Sequence, residues 1–244
     1  MDWFVLLVVG VIIACAVGMV YYGCSVHDSQ LLGPSLVRGE AGKGRVALTF
    51  DDGPTPPCTD QILDILKEYG VTATFFVNGK LVERFPETLK RISNEGHTLG
   101  NHTYTHPYLW LKTRRRIERE LDSTQQAVER VTGVRPKVFR APYGVRWFGL
   151  FPALRARGMR SVQWSDTGFD WVQRNTAEDI ASKTLAELRD GSVILLHDGC
   201  GPLEPGEALH STTVAALPAI IEGVRRRGLD FVSVQEFLLH PSIP

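Results

Sequence analysis

Two short stretches of the sequence carry residues that could bind a metal ion or transfer protons. Asp51 and Asp52 end the apolar run in "ALTFDDGPTP", and His102 and His106 lie four residues apart in "NHTYTH". Adjacent carboxylates repel one another, so we expect a nearby group that compensates their charge. Two imidazoles and one carboxylate form a facial ligand set suited to Zn²⁺ or to non-heme Fe²⁺, which leaves the second carboxylate available as a base.

The elements that must position these residues follow a regular order along the chain. Apolar, strand-like runs alternate with amphipathic, helix-like segments, several of which end at a glycine such as Gly70 or Gly133. This alternation predicts an α/β fold with a parallel sheet. About seven such units occur without a Gly-x-Gly-x-x-Gly turn after the first strand, which favours a (β/α) barrel over an open dinucleotide-binding sheet.

Polar side chains follow five of the predicted strands at the point where each strand ends, whereas the strand bodies are nearly all apolar. In (β/α) barrels the chemistry is carried by residues at the carboxyl ends of the strands, so the sequence predicts one site built from these five ends. The residues in question are Asp51 and Asp52; His102 and His106; Arg140 and Tyr143; Asp166, Asp170 and Trp171; and His197 and Asp198.

The first residues differ from the rest of the chain. The stretch Trp3–Tyr22 has no charged residue, has the ~20 residues that a membrane-spanning helix needs, and carries aromatic residues at both ends. It lacks the basic lead of a cleaved signal peptide, so we favour an uncleaved transmembrane anchor or signal-anchor over 1–23. We expect a juxtamembrane linker over 24–43 and a catalytic domain over 44–240.

Charge and cysteine content narrow the possible partners. The chain has 27 Lys and Arg against 27 Asp and Glu, and its two arginine clusters, Arg114–Arg116 and Arg225–Arg227, lie in predicted helix faces, so nucleic acid is not expected as a partner. No Cys-x-x-Cys occurs, which argues against a zinc knuckle. Cys58 and Cys200 could form a disulfide in an extracytoplasmic domain, and two free thiols are the alternative.

Five segments, taken in order, resemble the motifs of a known family. The segments "TFDDGP", "NHTYTH", "FRAPYG", "DW" and "LLHDG" are similar to the five motifs of the polysaccharide deacetylases, carbohydrate esterase family 4 with its NodB-homology domain. The resemblance covers about Arg45 to Leu238. It implies a distorted (β/α) barrel and a metal-dependent hydrolase that removes N-acetyl groups from N-acetylglucosamine residues of a polysaccharide, with peptidoglycan as the first choice and chitin-like oligosaccharide as the second.

The resemblance also implies a role for each catalytic residue. Asp51 would be the general base that activates a water molecule, and Arg140 would pair with it, which supplies the compensating charge expected above. His197 would be the general acid that protonates the leaving amine, oriented by Asp170. The backbone N–H of Tyr143 would stabilise the oxyanion.

Metal and substrate contacts follow from the same resemblance. Asp52, His102 and His106 would hold a divalent metal, Zn²⁺ by preference, with Co²⁺, Ni²⁺ or Mn²⁺ as alternatives. The family usually has two residues between the aspartates of its fourth motif, whereas "DTGFDW" has three, so the shape of this loop and its fit to the sugar stay open. The residues that would line the substrate pocket are Pro142, Tyr143, Trp171 and Leu195.

Three other functions are compatible with parts of this pattern. Relatives that cleave acetyl esters of xylan make an O-acetyl xylan esterase one alternative, and a non-catalytic glycan-binding module is another. A non-heme iron oxygenase could use the same two-His-one-Asp set, but the helix-rich pattern argues against it. We expect a monomer with a single membrane pass, an extracytoplasmic catalytic domain and an acetylated amino-sugar polysaccharide as its substrate.

Overall fold

A computed structural model describes residues 3–199 and 211–239. Cys200, and with it the predicted pairing with Cys58, lies outside the described residues, as does residue 240 at the predicted domain end. The helices are α1 (Trp3–Ser25), α2 (Cys58–Glu68), α3 (Gly79–Arg84), α4 (Pro86–Asn94), α5 (Arg114–Thr132), α6 (Leu150–Arg155), α7 (Ala177–Ala186), α8 (Ser211–Arg226) and α9 (Val234–Leu239). The strands are β1 (Ser35–Leu36), β2 (Arg45–Asp51), β3 (Thr74–Val77), β4 (Thr98–Asn101), β5 (Val138–Phe139), β6 (Arg160–Val162), β7 (Asp166–Thr167), β8 (Val193–His197) and β9 (Asp230–Val232).

These strands form one parallel sheet in the order β1–β6–β5–β4–β3–β2–β8–β7, and β9 pairs with the beginning of β2. The predicted distorted (β/α) barrel is confirmed in an open form, because within the described residues no hydrogen-bonded pair joins the edge strands β1 and β7. All pairs are parallel, so the carboxyl ends of the strands lie along one edge of the sheet. At that edge Asp51 of β2 is in register with His197 of β8.

Local sequence explains where the helices begin and end. Thr176 caps α7 by accepting a hydrogen bond from the Asp179 N–H, and the Asp179 carboxylate accepts from the Thr176 N–H in return. Gly133 ends α5 with φ of 70°, a left-handed conformation that suits glycine. Helices placed by such signals present an apolar face to the sheet.

The main core lies between the sheet and the helices α2, α4, α5, α7 and α8. The continuous apolar run of β2 is buried on both faces, as expected of a central parallel strand. On one face of β2, Phe50 stacks on Phe75 of β3 with ring centroids 5.0 Å apart. This packing fixes the end of β2, and therefore fixes the backbone from which the two aspartates project.

The N-terminal helix α1 is long and apolar enough to span a membrane, a property that a signal sequence shares. The residues that follow it pack against the domain, although the sequence indicates a linker over 24–43. β1 pairs with β6, and the Ser35 hydroxyl donates to the Ser161 hydroxyl at 2.9 Å. His27 stacks on Trp164 with ring centroids 5.2 Å apart. The segment is therefore part of the same packed body as the sheet.

Candidate active site

Three predicted metal ligands meet at the carboxyl edge of the sheet. Asp52 follows β2, and His102 and His106 lie in the loop after β4. One ligand atom from each of the three lies within 4.8 Å of the other two. The Asp52 Oδ1 atom is 3.3 Å from Nε2 of His102 and 3.0 Å from Nε2 of His106, and all three side chains are buried. The donors thus converge on one point, as a facial ligand set does.

The hydrogen bonds around these residues favour metal binding. Nδ1–H of His102 donates to the backbone carbonyl of Arg140 at 2.9 Å, which leaves the lone pair on Nε2, the atom that faces Asp52. Burial raises the pKa of Asp52, but its interactions with His102 and His106 outweigh burial and hold the pKa well below its usual range. An ionised oxygen and a neutral imidazole nitrogen aimed at one point fit a borderline divalent cation.

Asp51 is held beside this set by a buried cation. The Arg140 Nη1 atom donates to Asp51 Oδ1 at 2.7 Å and to the Thr49 hydroxyl at 2.8 Å, and Nη2 donates to the Gln163 carbonyl at 2.9 Å. The Arg140 side chain is fully buried, and burial lowers its pKa while the Asp51 charge raises it. The second oxygen of Asp51, Oδ2, lies 3.8 Å from Nε2 of His102. The arginine therefore neutralises one side of the carboxylate and leaves the other side facing the ligand set.

His197, at the end of β8, pairs with buried Asp170 from the turn after β7. Nδ1–H of His197 donates to Asp170 Oδ1 at 2.8 Å, and the backbone N–H of His197 donates to Oδ2 at 2.7 Å. The Thr213 hydroxyl of α8 donates to the same Oδ2 at 2.9 Å. Burial lowers the pKa of His197, but the charge and hydrogen bond of Asp170 outweigh it and raise the pKa to about 9. His197 therefore carries a proton at neutral pH.

An aromatic rim surrounds these groups. Tyr143 is in a left-handed conformation with φ of 58° within the short 3-10 turn Pro142–Gly144, and its half-exposed ring packs against His106, with centroids 4.7 Å apart. Trp171 packs edge-on against His197 with centroids 5.3 Å apart. Pro142 is buried, and Leu195 is buried in β8 two residues before His197. The rim residues predicted as substrate contacts thus lie next to, or in the same element as, the charged groups.

Glu120 supports the histidine loop from α5, a function that the sequence analysis missed. Its buried carboxylate accepts hydrogen bonds from the backbone N–H groups of Tyr104 and Thr105 at 3.0 and 2.8 Å, and from the Thr105 hydroxyl at 2.9 Å. His106, the next residue, has φ of 53°. A loop with such backbone conformations needs external hydrogen bonds, and a lone Glu on a predicted amphipathic helix gives no local signal of this function.

Asp198, the residue after His197, bonds to α2 and to the end of β2. Its buried carboxylate accepts a hydrogen bond from the Thr59 hydroxyl of α2 at 2.7 Å, and its backbone N–H donates to the Asp51 carbonyl at 3.1 Å. Burial raises the pKa of Asp198 to about 7. Gly53 lies against this carboxylate so closely that a Cβ there would overlap it. Asp198 thus ties the loop after β2 to β8.

The fourth motif has one residue more than is usual in the family, and Asp170 nevertheless contacts His197. The turn is made by Phe169, whose φ is 52° and whose carbonyl accepts a hydrogen bond from the Asn175 side chain at 2.8 Å. Phe169 is exposed and packs edge-on against Trp171 with centroids 5.3 Å apart. Asp166 lies apart from this pair and contacts Arg38 at 3.4 Å. The additional residue therefore changes the rim and leaves the acid pair intact.

The open barrel with these two buried clusters is the architecture of a metal-dependent hydrolase. A family model described as polysaccharide deacetylase matches residues 38–162. A chitooligosaccharide deacetylase of Rhizobium leguminosarum bv. trifolii is 40% identical in an alignment of 208 residues that covers 81% of this chain and 94% of the relative. A peptidoglycan-N-acetylglucosamine deacetylase of Bacillus cereus is 39% identical over 80% of this chain and 69% of the relative.

A solved structure gives the same result. The crystal structure of the Bc1960 peptidoglycan N-acetylglucosamine deacetylase, in complex with 4-naphthalen-1-yl-N-hydroxybenzamide, matches with a TM-score of 0.78 at 36% identity, over 83% of this chain and 92% of that one. The chain belongs to the polysaccharide deacetylase family. The resemblance drawn from the five motifs is confirmed.

Proposed function

We propose that the protein is a metal-dependent N-deacetylase that hydrolyses the acetamido group of N-acetylglucosamine residues in a polysaccharide. Peptidoglycan is our first choice of substrate and a chitin-like oligosaccharide is the second, because the two curated relatives described above are named for these glycans. The observation that carries the proposal is the pair of buried groups on adjacent strands: Asp51 with Arg140 on one side, and His197 with Asp170 on the other.

Asp52, His102 and His106 would hold the metal, of which Zn²⁺ is our first choice and Co²⁺, Ni²⁺ and Mn²⁺ are alternatives. A divalent ion bound there supplies a Lewis acid that acidifies water and polarises the acetyl carbonyl. Asp51 would take the proton of the attacking water on Oδ2, because Oδ1 is engaged by Arg140. The salt bridge holds the carboxylate in position before the reaction.

His197 would complete the reaction from the opposite side. Water oxygen forms a bond to the acetyl carbon, and the carbon–nitrogen bond then breaks, so the leaving nitrogen needs a proton. With a pKa of about 9, His197 carries that proton at neutral pH, and Asp170 holds the ring so that Nε2 is the donating atom. The products are acetate and the free amine of the sugar. The backbone N–H of Tyr143 would donate to the oxyanion that forms at the carbonyl.

The rim fits a sugar substrate. Aromatic faces such as those of Tyr143 and Trp171 pack against the apolar faces of sugar rings, and both side chains are about half exposed beside the charged groups. Buried Leu195 and Pro142 would bound the space taken by the acetyl methyl group. Every residue in this scheme comes from one chain, so the site is complete in a monomer.

We further propose that α1 is retained as a single-pass anchor and that the catalytic domain is extracytoplasmic. The buried guanidinium of Arg146 donates to the backbone carbonyls of Val26 and Ser29, the latter at 2.7 Å, and its backbone N–H donates to the Cys24 carbonyl at 2.9 Å. Cleavage at the end of α1 would remove the Cys24 carbonyl and release the segment that carries the other two acceptors, and a buried cation without partners costs free energy. An extracytoplasmic domain would also meet peptidoglycan directly.

Acetate release tests the proposal. The full-length chain in detergent, stripped of metal and then given Zn²⁺ or Co²⁺, is offered an acetylated chitin oligomer, purified peptidoglycan and acetylated xylan in parallel, with Asp51→Asn as the matched inactive control. Metal-dependent acetate from either amino-sugar polymer supports the proposal. Release from xylan alone would make the protein an O-acetyl esterase. Binding of glycan without acetate from any substrate would indicate a binding module and contradict the proposal.

A further inference from the structure

The end of α1 is attached to the catalytic domain next to the active site. Cys24, in the last turn of α1, is fully buried, and its thiol lies within hydrogen-bonding reach of the Trp110 side chain. Arg146 holds the backbone of the same turn and of the residues after it. A membrane helix joined by such contacts fixes the orientation of the domain relative to the membrane, whereas a free linker would let the domain rotate.

A cavity of about 290 Å³ lies between the end of α1 and the domain. It is lined by Tyr21 and Ser25 of α1 together with Tyr108, Trp110 and Val145 of the domain. From it, two ring contacts lead to a proposed metal ligand: Tyr108 stacks on Tyr143 with centroids 4.2 Å apart, and Tyr143 packs against His106 at 4.7 Å. Tyr21 belongs to the aromatic end of the apolar span, which in membrane helices lies at the lipid headgroup level. The mouth of the site is therefore close to that level.

The domain surface around this point is apolar and aromatic. We call it the aromatic patch, and its members form a continuous surface in which Trp147 packs against Trp110 at 5.8 Å and against Phe148 at 5.1 Å. Leu111 is 76% exposed, which is unusual for a large apolar side chain in a folded domain. The members of the aromatic patch are Tyr108, Trp110, Leu111, Trp147 and Phe148.

Positive charges border the aromatic patch directly. The sequence continues from Leu111 as Lys112, Thr113, Arg114 and Arg115, and the side chains of these four residues are exposed. The loop at Phe148 returns to the same place, because Gly149 lies against the Arg114 side chain. Exposed aromatic residues beside lysine and arginine are the composition of surfaces that rest in the interfacial layer of anionic membranes.

From these contacts we propose that the aromatic patch and its basic border rest on the lipid surface from which α1 emerges. The active site then opens at the membrane interface and acts on glycan strands where they reach the lipid surface. The occupant of the patch is the bilayer itself, because the patch is continuous with the outer end of the membrane helix. This inference rests on the proposed anchoring and deepens the proposed function.

Photocrosslinking to lipid tests the surface without requiring activity. The full-length chain carries a benzophenone amino acid at position 111 and is reconstituted in vesicles of phosphatidylcholine with phosphatidylglycerol. The matched control carries it at position 87, because Glu87 is an equally exposed residue of α4. We expect phospholipid adducts by mass spectrometry at 111 and none at 87, and we expect the yield at 111 to fall several-fold in Lys112→Gln/Arg115→Gln. If the variant at 111 does not fold, position 148 replaces it.

Measurement of acetate release distinguishes a failure of this inference from a failure of the proposed function. In the same vesicles, an acetylated chitin oligomer is offered free in solution and, in parallel, tethered to a lipid. A higher rate on the tethered oligomer, reduced several-fold by Leu111→Ser while the rate on the free oligomer is kept, supports the inference. An active protein without lipid adducts at positions 111 and 148 would overturn it. Lipid adducts without acetate from either oligomer or from purified peptidoglycan would contradict the proposed function and leave the membrane contact standing.

Discussion

Replacing Asp170 with asparagine removes a charge from beside His197 while keeping nearly the same shape. The pKa of His197 is about 9 with Asp170 present, against an ordinary value of 6.5. At about 1.4 kcal/mol per pKa unit, this difference corresponds to about 3 kcal/mol of attraction between the imidazolium and its surroundings. Without the carboxylate, burial lowers the pKa of His197 while only the charges of Asp51 and Asp52 still raise it, so we expect the pKa to fall far below that of the parent. The imidazole then becomes neutral at pH 7.5 and has no proton to donate.

Two measurements follow from that change in Asp170→Asn. In the parent, acetate release from a chitin oligomer should decline as the pH rises through about 9. In Asp170→Asn this decline with rising pH should occur already below pH 7, so turnover at pH 7.5 should be lower by about 10²-fold or more, the range of general-acid catalysis. The raised pKa of His197 stabilises the folded parent fully below pH 6.5, and this contribution is lost as the pH rises through about 9. The unfolding free energy of Asp170→Asn should therefore fall furthest below that of the parent near pH 6 and least near pH 10.

Thr213→Val is the matched control, since it removes one hydrogen bond to Asp170 and keeps the charge. Its pH profile should stay close to that of the parent. In a His197→Ala background, Asp170→Asn should cause little further loss of turnover, because the two residues act as one unit. A decline that stays near pH 9 in Asp170→Asn, or a full additional loss in the His197→Ala background, would refute the assignment of His197 as the acid.

Three further predictions concern the metal set and the loops around it. Asp51→Asn should keep its metal, measured by elemental analysis, and its turnover should fall by about 10²-fold or more. His102→Ala should lose both metal and turnover. Loss of metal in Asp51→Asn would mean that the roles of the two aspartates are reversed. Glu120→Ala should weaken metal affinity by about 10- to 100-fold in a competitive chelator titration, and unchanged affinity would contradict its role in holding the histidine loop. Gly53→Ala should lower unfolding free energy by about 1–3 kcal/mol in urea, because its Cβ would overlap Asp198; a loss under about 0.5 kcal/mol would show that the loop relaxes freely.

The strand ends were predictable because their signal is local. An apolar run followed by Asp51, or by His197, marks both the strand and the edge at which the residue lies, and parallel pairing then brings such residues together without further information. The family and the open barrel followed from the same five segments. The two-residue strands β1 and β7 were not predictable, because Ser35–Leu36 and Asp166–Thr167 lack the apolar run that marks the equally short β5.

Partners that lie far apart in the sequence were also missed. Thr213 on α8 and Glu120 on α5 are ordinary residues of amphipathic helices until the fold brings them to Asp170 and to the histidine loop. The segment over 24–43 has the composition of a linker because it lacks periodicity. Its backbone carbonyl groups nevertheless accept hydrogen bonds from the buried Arg146. Such main-chain acceptors cannot be recognised from the sequence, because every residue has a backbone carbonyl. Non-local hydrogen bonds, rather than propensities, account for these differences.

The pairing of β2 with β8 has a consequence for the order in which the protein matures. The proposed metal ligands all precede residue 107 and lie in the loops that follow β2 and β4, whereas His197 ends β8 and its partner Asp170 accepts a hydrogen bond from Thr213 of α8. A chain synthesised from its N-terminus completes the metal-binding half first. The proton donor joins it only when β8 takes its place beside β2. A chain that has not yet paired β8 with β2 would therefore hold the proposed metal ligands without the proposed proton donor.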